Sequence, residues 1–272
     1  MEKNLSNQTA ATYKTLRLGL AVLAFAFPPL LFGGGFLLWS LPLAGSMSAY
    51  YHYHPIERLH PDKGTPDQSA PIPADENTLG QGVMRNPFVG ILFAVGALLF
   101  AYQGFSRLED YALNLAGILA WGIALFPMKW PEGIKDGLFS LHGTFAISFF
   151  ACIAYVCIWR AGDTLPLIEN AAIRKRYLRT YQFLGWTMVI FPFLAWALIS
   201  LTPWHKSVIF FVELAGIYVF AAYWITKSHE ASKTTVDEKA SRGKLRVRPH
   251  GLSDVLRQLP VTPVDNPVQQ QE

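Results

Sequence analysis

The stretch GLFSLHGTFAISFFACIAYVCIW, from Gly137 to Trp159, decides the fold class of this chain. It contains no Asp, Glu, Lys or Arg. A helix needs about 20 mostly apolar residues to cross a hydrocarbon layer roughly 30 Å thick, and this stretch is long enough and apolar enough to do so. It therefore predicts a transmembrane helix, with one histidine, His142, inside it.

Five further runs of the same kind lie before and after this one. Of the 272 residues, 51% are hydrophobic and only 15% are charged, a balance typical of a chain that is embedded in lipid. We therefore predict an all-α, polytopic membrane protein in which six transmembrane helices form one bundle over residues 18–226. The predicted spans are Leu18 to Trp39, Pro87 to Phe105, Tyr111 to Trp130, Gly137 to Trp159, Tyr181 to Leu201 and Val208 to Thr226.

Basic residues near the ends of the spans predict the orientation of the bundle, because Lys and Arg collect on the cytoplasmic side. The loop between the fourth and fifth spans contains Arg174, Lys175, Arg176 and Arg179, and many basic residues follow the sixth span. The loop at residues 40–86 is poor in basic residues for its length, so we expect it outside. Both termini are then cytoplasmic, and the predicted location of this multi-pass protein is the plasma (inner) membrane.

Outside the bundle we expect a short cytoplasmic segment at residues 1–17 and a largely disordered, basic cytoplasmic tail at residues 227–272. The tail has few large apolar residues, so it cannot bury enough surface to offset the entropy of ordering. Within it, Ser253 to Leu259 is expected to form a short amphipathic helix on the membrane or against a protein partner. Nucleic acid is not an expected partner, because the chain has no zinc-finger spacing and no basic-aromatic pattern.

Polar residues at the outer ends of the spans are the candidate functional residues. At 1.5 Å per residue, His142 and Glu213 both lie roughly 7 to 8 Å below the outer surface. An ionisable group inside a span normally faces the bundle interior or water. The segment SMSAYYHYHP and the neighbouring loops add polar groups at the same level. These are Ser46, Ser48, Tyr50, Tyr51, His52 and His54, together with Arg85, Asn86 and His205.

One functional hypothesis for this outer layer is recognition of a membrane lipid. Arg85 would pair with the phosphate of the headgroup, while Tyr50, Tyr51 and His142 would donate hydrogen bonds to it. The competing structural interpretation is an interfacial belt of aromatic residues, in which Glu213 is neutral or paired with Arg85.

A second hypothesis is a metal-dependent lipid ester or amide hydrolase. Here histidines and Glu213 hold zinc, and Ser48 or a metal-bound water attacks the lipid. The chain has no HExxH motif to support it, and no cofactor other than zinc is expected. The zinc ligands in this hypothesis are His142 and Glu213 with one or more of His52, His54 and His205.

Haem ligation is a third hypothesis, for which only His142 lies clearly within a span.

The order of several short motifs resembles a known family. The motifs are Ser46-x-Ser48, Arg85-x-x-Phe88-x-Gly90, Tyr102-x-Gly104, Asn114-x-x-Gly117 and His142-Gly143-Thr144-Phe145-Ala146. Over roughly residues 15–226 the chain looks like the six-span bacterial membrane proteins of unknown function that are similar in layout to the Frag/DRAM/Sfk group. It lacks the aspartate that typically follows the serine motif in that group. The resemblance implies a six-helix fold and, for some eukaryotic members, a role in lipid-anchor remodelling or membrane lipid organisation, without a catalytic mechanism.

These observations predict an integral membrane protein that handles or senses membrane lipid through its outer polar layer. The first alternative is the metal-dependent lipid hydrolase. The second is a structural or scaffolding subunit that binds a protein partner through its cytoplasmic tail. The sequence leaves open whether the protein is an enzyme.

Overall fold

Helices make up most of the part of the chain that the computed structural model describes, which is residues 2–53, 82–129, 140–199, 201, 207–246 and 251–264. π-helical turns at Pro29–Gly33 and Val156–Arg160 and a 3-10 turn at Ser48–Tyr51 interrupt or join the α-helices, and two-residue strands β1, Leu245–Arg246, and β2, Thr262–Pro263, pair near the C-terminus. The α-helices are α1 Glu2–Pro28, α2 Gly34–Trp39, α3 Arg85–Ala101, α4 Arg107–Leu125, α5 Leu141–Tyr155, α6 Ala171–Ile199, α7 Val208–Thr234 and α8 Val236–Ser241.

Several of these helices have the length and composition of membrane spans. Within the described residues, four stretches are long and apolar enough to cross a membrane, namely Leu5–Trp39, Arg107–Leu125, Leu141–Leu167 and Val208–Thr234. α3 is apolar but shorter. The predictions of an all-α fold and of a membrane protein are therefore confirmed at this level.

One long helix forms the first predicted span. α1 continues through the π-helical turn into α2. Proline cannot donate a backbone hydrogen bond to the preceding turn, so a proline inside a helix commonly coincides with a local irregularity. Pro28 ends α1 and Pro29 begins the π-helical turn. Since α1 begins at Glu2, residues 2–17, which we predicted as a cytoplasmic segment, are the first turns of this helix.

A glycine in α2 allows the following segment to fold back over the bundle. Ser40 ends the helix with a φ of 54°, in the left-handed region. A Cβ on Gly35 would lie only 3.1 Å from Leu41 Cδ1 and 3.5 Å from the Tyr50 ring. Glycine thus permits an approach that a larger residue would obstruct, and the segment at residues 40–53 packs on the helix that precedes it.

The helices pass back and forth between two ends of the bundle, which we name after one residue in each. At the Ser48 end, the Phe210 N–H at the start of α7 donates to the carbonyl of Gly45 at 2.8 Å. At the Lys227 end, the Lys227 ammonium lies 5.4 Å from the centre of the Phe105 ring, just after α3. The Ser48 end also contains Arg85, Phe126 and Ser140, and the Lys227 end also contains Arg17, Tyr102, Arg160 and Asp163.

The described part of the C-terminal region, residues 236–246 and 251–264, packs on the Lys227 end. Val236, Leu259 and Val261 are buried. Asp163 anchors the segment, because its Oδ1 accepts the Leu259 N–H at 2.7 Å and its carbonyl accepts the Val261 N–H at 2.9 Å. This order differs from the disordered tail that composition predicts. A few apolar side chains suffice here because backbone hydrogen bonds to a buried acidic residue hold the segment as well.

The helix of the sixth predicted span, α7, also extends further than hydropathy predicts. α7 ends at Thr234, so the predicted boundary of the tail at residue 227 falls inside the helix, and both Lys227 and Glu230 are buried. In place of the amphipathic helix that we expected at Ser253 to Leu259, the structure has a 3-10 turn at Leu252–Asp254.

Buried ion pairs hold the Lys227 end together. Charged groups without water are stable only when an opposite charge and hydrogen bonds compensate the lost hydration. One pair links α1 to α8, one lies in the turn after α5, and one joins two neighbouring turns of α7. They are Arg17 with Asp237 at 3.1 Å, Arg160 with Asp163 at 3.6 Å and Lys227 with Glu230 at 2.8 Å.

Candidate functional site

The segment that precedes the 3-10 turn is held at the Ser48 end by hydrogen bonds to α7 and within itself. The Met47 N–H donates to Glu213 Oε2 at 2.6 Å. The Tyr50 hydroxyl donates to the carbonyl of Pro42 at 2.9 Å. Tyr50 is fully buried and Tyr51 is 7% exposed. These tyrosines therefore pack into the bundle and do not form the exposed aromatic belt of the structural interpretation.

His142 lies on the other side of Ser48, in the first turn of α5. Its Nε2 is 2.8 Å from Ser48 Oγ, and its Nδ1 is 2.8 Å from the carbonyl oxygen of Phe126. A carbonyl oxygen can only accept a hydrogen bond, so Nδ1 carries the proton. In the neutral imidazole Nε2 is then an acceptor, and the Ser48 hydroxyl donates to it.

Close packing of α4 on α5 brings the Phe126 carbonyl to His142. A Cβ on Gly122 would lie 2.9 Å from the ring of Phe145, so the two helices approach closely at this glycine. Phe126 follows directly after α4, and its ring lies 5.5 Å from that of Phe145. The N-terminus of α5 is fixed in turn by Ser140, whose hydroxyl accepts the Gly143 N–H at 3.0 Å.

Glu213 completes a set of three residues that come from distant parts of the chain. Its Oε1 lies 3.4 Å from Ser48 Oγ, while its Oε2 holds the Met47 N–H. The single hydroxyl proton of Ser48 can be donated to only one acceptor at a time, and the shorter contact is the one to His142. The structure thus brings together Ser48, His142 and Glu213, the three residues that the sequence suggested as catalytic candidates.

An apolar cavity lies directly beneath Ser48 and Glu213. Its volume is about 70 Å³, and apart from those two residues its lining is apolar. From Glu213 to Phe220, a lining residue seven positions further along α7, the helix descends about 10 Å. A cavity with an apolar lining favours hydrocarbon over water. Its walls include Phe27, Phe88, Val95, Ala146, Phe149 and Phe220.

Arg85 and Tyr51 contact each other beside Phe88, a residue of the cavity wall. The Arg85 Nε–H donates to the Tyr51 hydroxyl at 3.1 Å, and the guanidinium lies 5.6 Å from the centre of the Tyr51 ring. The Tyr51 ring is 5.9 Å from that of Phe88, which lines the cavity. Arg85 itself is exposed. Of the predicted headgroup ligands, Arg85 and Tyr51 are therefore together, whereas Tyr50 and His142 are engaged by Pro42 and Ser48.

The predicted zinc ligands do not form a cluster in the part of the chain that the structure describes. That part contains no group of three or more His, Cys, Asp or Glu side chains that could hold a metal ion. His52 Nε2 lies 2.8 Å from the carbonyl oxygen of Met128, and both ring nitrogens of His142 are engaged as above. His54 and His205 lie outside the described residues. The zinc and haem hypotheses stay predictions.

The charged cluster at the Lys227 end is the feature that sequence reasoning missed. Lys227 donates to Thr164 Oγ1 at 2.8 Å, and Glu230 accepts from Thr164 at 2.8 Å and from Tyr181 at 3.1 Å. A signal was present in the sequence, because Lys227 and Glu230 lie three positions apart, which places opposite charges on one helix face. At the same end the Ser106 hydroxyl caps α4, because it accepts the Glu109 N–H at 3.3 Å.

We compared the chain with protein-family models, with curated proteins and with solved structures, and none of the three comparisons gave a match. The fold and the site therefore define a class, an all-α membrane protein with a buried polar set above an apolar cavity. The resemblance to the Frag/DRAM/Sfk group stays a prediction.

Proposed function

We propose that the protein handles membrane lipid by binding, in the cavity beneath Ser48, the part of one acyl chain that adjoins the ester, with the lipid's polar head near Arg85. The observation that carries this proposal is the cavity itself, which is apolar along its length and ends at two polar residues, Ser48 and Glu213. This is the polarity profile of a lipid, whose hydrocarbon chain ends at a polar ester and headgroup.

The polar end of the cavity carries the selectivity in this proposal. An acyl chain that leaves the bilayer for a protein cavity gains little hydrophobic free energy, because lipid tails are as apolar as the cavity wall. Discrimination must then come from contacts to the head. Exposed Arg85, held by Tyr51 at 3.1 Å, is suited to a phosphate through charge-assisted hydrogen bonds.

We further propose that six helices cross the plasma (inner) membrane and that both termini are cytoplasmic. α3 supports this number, because it runs from Arg85 at the Ser48 end to Tyr102, whose ring lies 5.0 Å from Trp224 near the Lys227 end. α6 supports it through the hydrogen bond of Tyr181 to Glu230 at the Lys227 end. The basic residues at the start of α6 and after α7 favour a cytoplasmic Lys227 end.

Lipid that co-purifies with the protein tests the binding proposal. We would purify the chain from membranes into a mild detergent and measure bound phospholipid per protein by mass spectrometry. The substitution Ala146→Leu fills the cavity, and we expect it to lower bound lipid several-fold. Ala151→Leu is the matched control, because Ala151 is exposed on the same helix and does not line the cavity.

The same measurement tests the contact between Arg85 and the lipid headgroup. Arg85→Ala is expected to shift the bound lipid away from anionic phosphate headgroups while the chain still occupies the cavity. Bound lipid that is equal in Ala146→Leu, Ala151→Leu and the unsubstituted protein would refute the cavity as the binding site.

A further inference from the structure

We infer that Ser48 is a nucleophile for acyl esters and that His142 is its general base. The inference rests on the proposed function for its substrate, a membrane glycerolipid with one acyl chain in the cavity. Its own ground is the geometry of the two side chains. The distance of 2.8 Å between Ser48 Oγ and His142 Nε2 lies within the range over which a base removes a hydroxyl proton.

The second ring nitrogen of His142 supports this role. A general base paired with a serine needs an unprotonated nitrogen that faces the hydroxyl and a third group that fixes the tautomer. The carbonyl of Phe126, at 2.8 Å, holds the proton on Nδ1 and so leaves the lone pair of Nε2 towards Ser48.

Burial favours the same chemistry. Ser48 is 5% exposed and His142 is 7% exposed, so bulk water is largely excluded from the pair. Ser48 nevertheless faces the cavity, which gives an acyl group access to the hydroxyl. Glu213, 3.4 Å from Ser48 Oγ, is a positioning residue, because it holds the Met47 N–H and thereby the turn that presents Ser48.

The cavity defines the class of substrate. Its apolar walls accept the first part of a hydrocarbon chain, and the carbonyl carbon of the ester then lies at the polar end, next to Ser48. Arg85, which is held by Tyr51, fits the phosphate of a glycerophospholipid. The expected substrate is therefore the acyl ester of such a lipid, and the products are a lysolipid and a fatty acid.

The reaction proceeds in two half-reactions. Ser48 Oγ bonds to the ester carbonyl carbon, and its proton passes to His142 Nε2. The bond from that carbon to the alkoxy oxygen breaks, and the alkoxy oxygen takes the proton to leave as the lysolipid hydroxyl. Water then gives its oxygen to the acyl carbon and a proton to Nε2, and Ser48 Oγ leaves with that proton. Nothing is oxidised or reduced, and water is the co-reactant.

A fluorophosphonate probe and a labelled lipid test this chemistry together. The purified protein is reconstituted in vesicles of phosphatidylethanolamine and phosphatidylglycerol that carry isotope-labelled acyl chains. We expect the probe to form an adduct that maps to Ser48 and the vesicles to release labelled fatty acid. Ser48→Ala should abolish both signals, and His142→Gln should lower both by a factor of roughly 10² to 10⁴. Ala151→Leu is the control and should behave as the unsubstituted protein.

The outcomes separate the chemistry from the binding proposal. Protein that co-purifies with lipid but shows no adduct at Ser48 and no fatty-acid release overturns the inference and leaves lipid binding intact. An adduct at Ser48 in protein that retains no lipid overturns the binding proposal and leaves the nucleophile standing. Labelling of Ser48 in the His142→Gln variant that equals labelling in the unsubstituted protein would refute the role of His142 as the general base. Retained lipid in Ser48→Ala and His142→Gln shows that these variants are folded.

Discussion

Neutralising Glu230 is predicted to destabilise the bundle strongly, because it removes the nearest counter-charge of a buried ammonium. Lys227 and Glu230 are fully buried, and their charged atoms lie 2.8 Å apart. In Glu230→Gln the Lys227 ammonium keeps only neutral acceptors, namely Thr164 Oγ1 at 2.8 Å and the Ala161 carbonyl at 3.3 Å. Removing one partner of a buried pair costs about 3 to 5 kcal/mol, and we expect a loss in that range.

Lys227→Met leaves the opposite charge, and it should cost less. The Glu230 carboxylate would still accept hydrogen bonds from Thr164 and Tyr181, at 2.8 and 3.1 Å. The double variant Lys227→Met with Glu230→Gln should then lose less stability than the sum of the two single losses, by 0.5 kcal/mol or more, a coupling expected of residues in contact.

Unfolding in mixed micelles measures these free energies, with tryptophan fluorescence as the signal. Glu238→Gln is the matched control, since Glu238 and Arg242 form an exposed pair at 3.7 Å and exposed helix pairs contribute only about 0.3 to 0.5 kcal/mol. A loss for Glu230→Gln no larger than that for Glu238→Gln, or strictly additive losses in the double variant, would refute the reasoning.

Three further predictions address the packing, the C-terminal segment and the topology. Gly122→Ala forces a Cβ to 2.9 Å from the Phe145 ring, so we expect a loss of about 1 to 3 kcal/mol in micelle unfolding; no loss would mean that α4 and α5 separate easily. Asp163→Ala leaves the Leu259 N–H without its acceptor, and limited proteolysis should cleave the C-terminal region faster than in the unsubstituted protein. Reporter proteins fused after residue 246 should be active only in the cytoplasm, and external activity would contradict the proposed orientation.

Hydropathy predicts the helices well but not their ends. The lipid-facing and core residues of α7 are both apolar, so the run from Val208 is unmistakable in the sequence. Beyond Thr226 the helix continues to Thr234 because the charges of Lys227 and Glu230 compensate each other and the C-terminal segment covers that end. A local window of hydropathy shows neither that the two charges are paired nor that another segment packs over them. It therefore assigns these residues to a tail.

The candidate site was predicted in part, for an equally specific reason. Counting residues from the end of a span gives depth, so it places His142 and Glu213 in one layer. Contact requires more, because Ser48 reaches both residues through the fold-back of residues 40–53 that Gly35 permits, and the Phe126 carbonyl reaches His142 through the approach of α4 to α5 at Gly122. Both are properties of packed helix pairs, which the sequence of either helix alone does not specify.

The two ends of the bundle differ in how their buried polar groups are paired. Along α7, Glu213 and Lys227 are fourteen positions apart, which is about 21 Å. At the Lys227 end, Arg17, Arg160 and Lys227 each pair with a carboxylate. At the Ser48 end, the Ser48 hydroxyl has two possible acceptors, His142 and Glu213, next to a cavity. Residues this far apart without common partners act independently, so the proposed binding of a lipid at the Ser48 end would leave the contacts that hold the Lys227 end together unchanged.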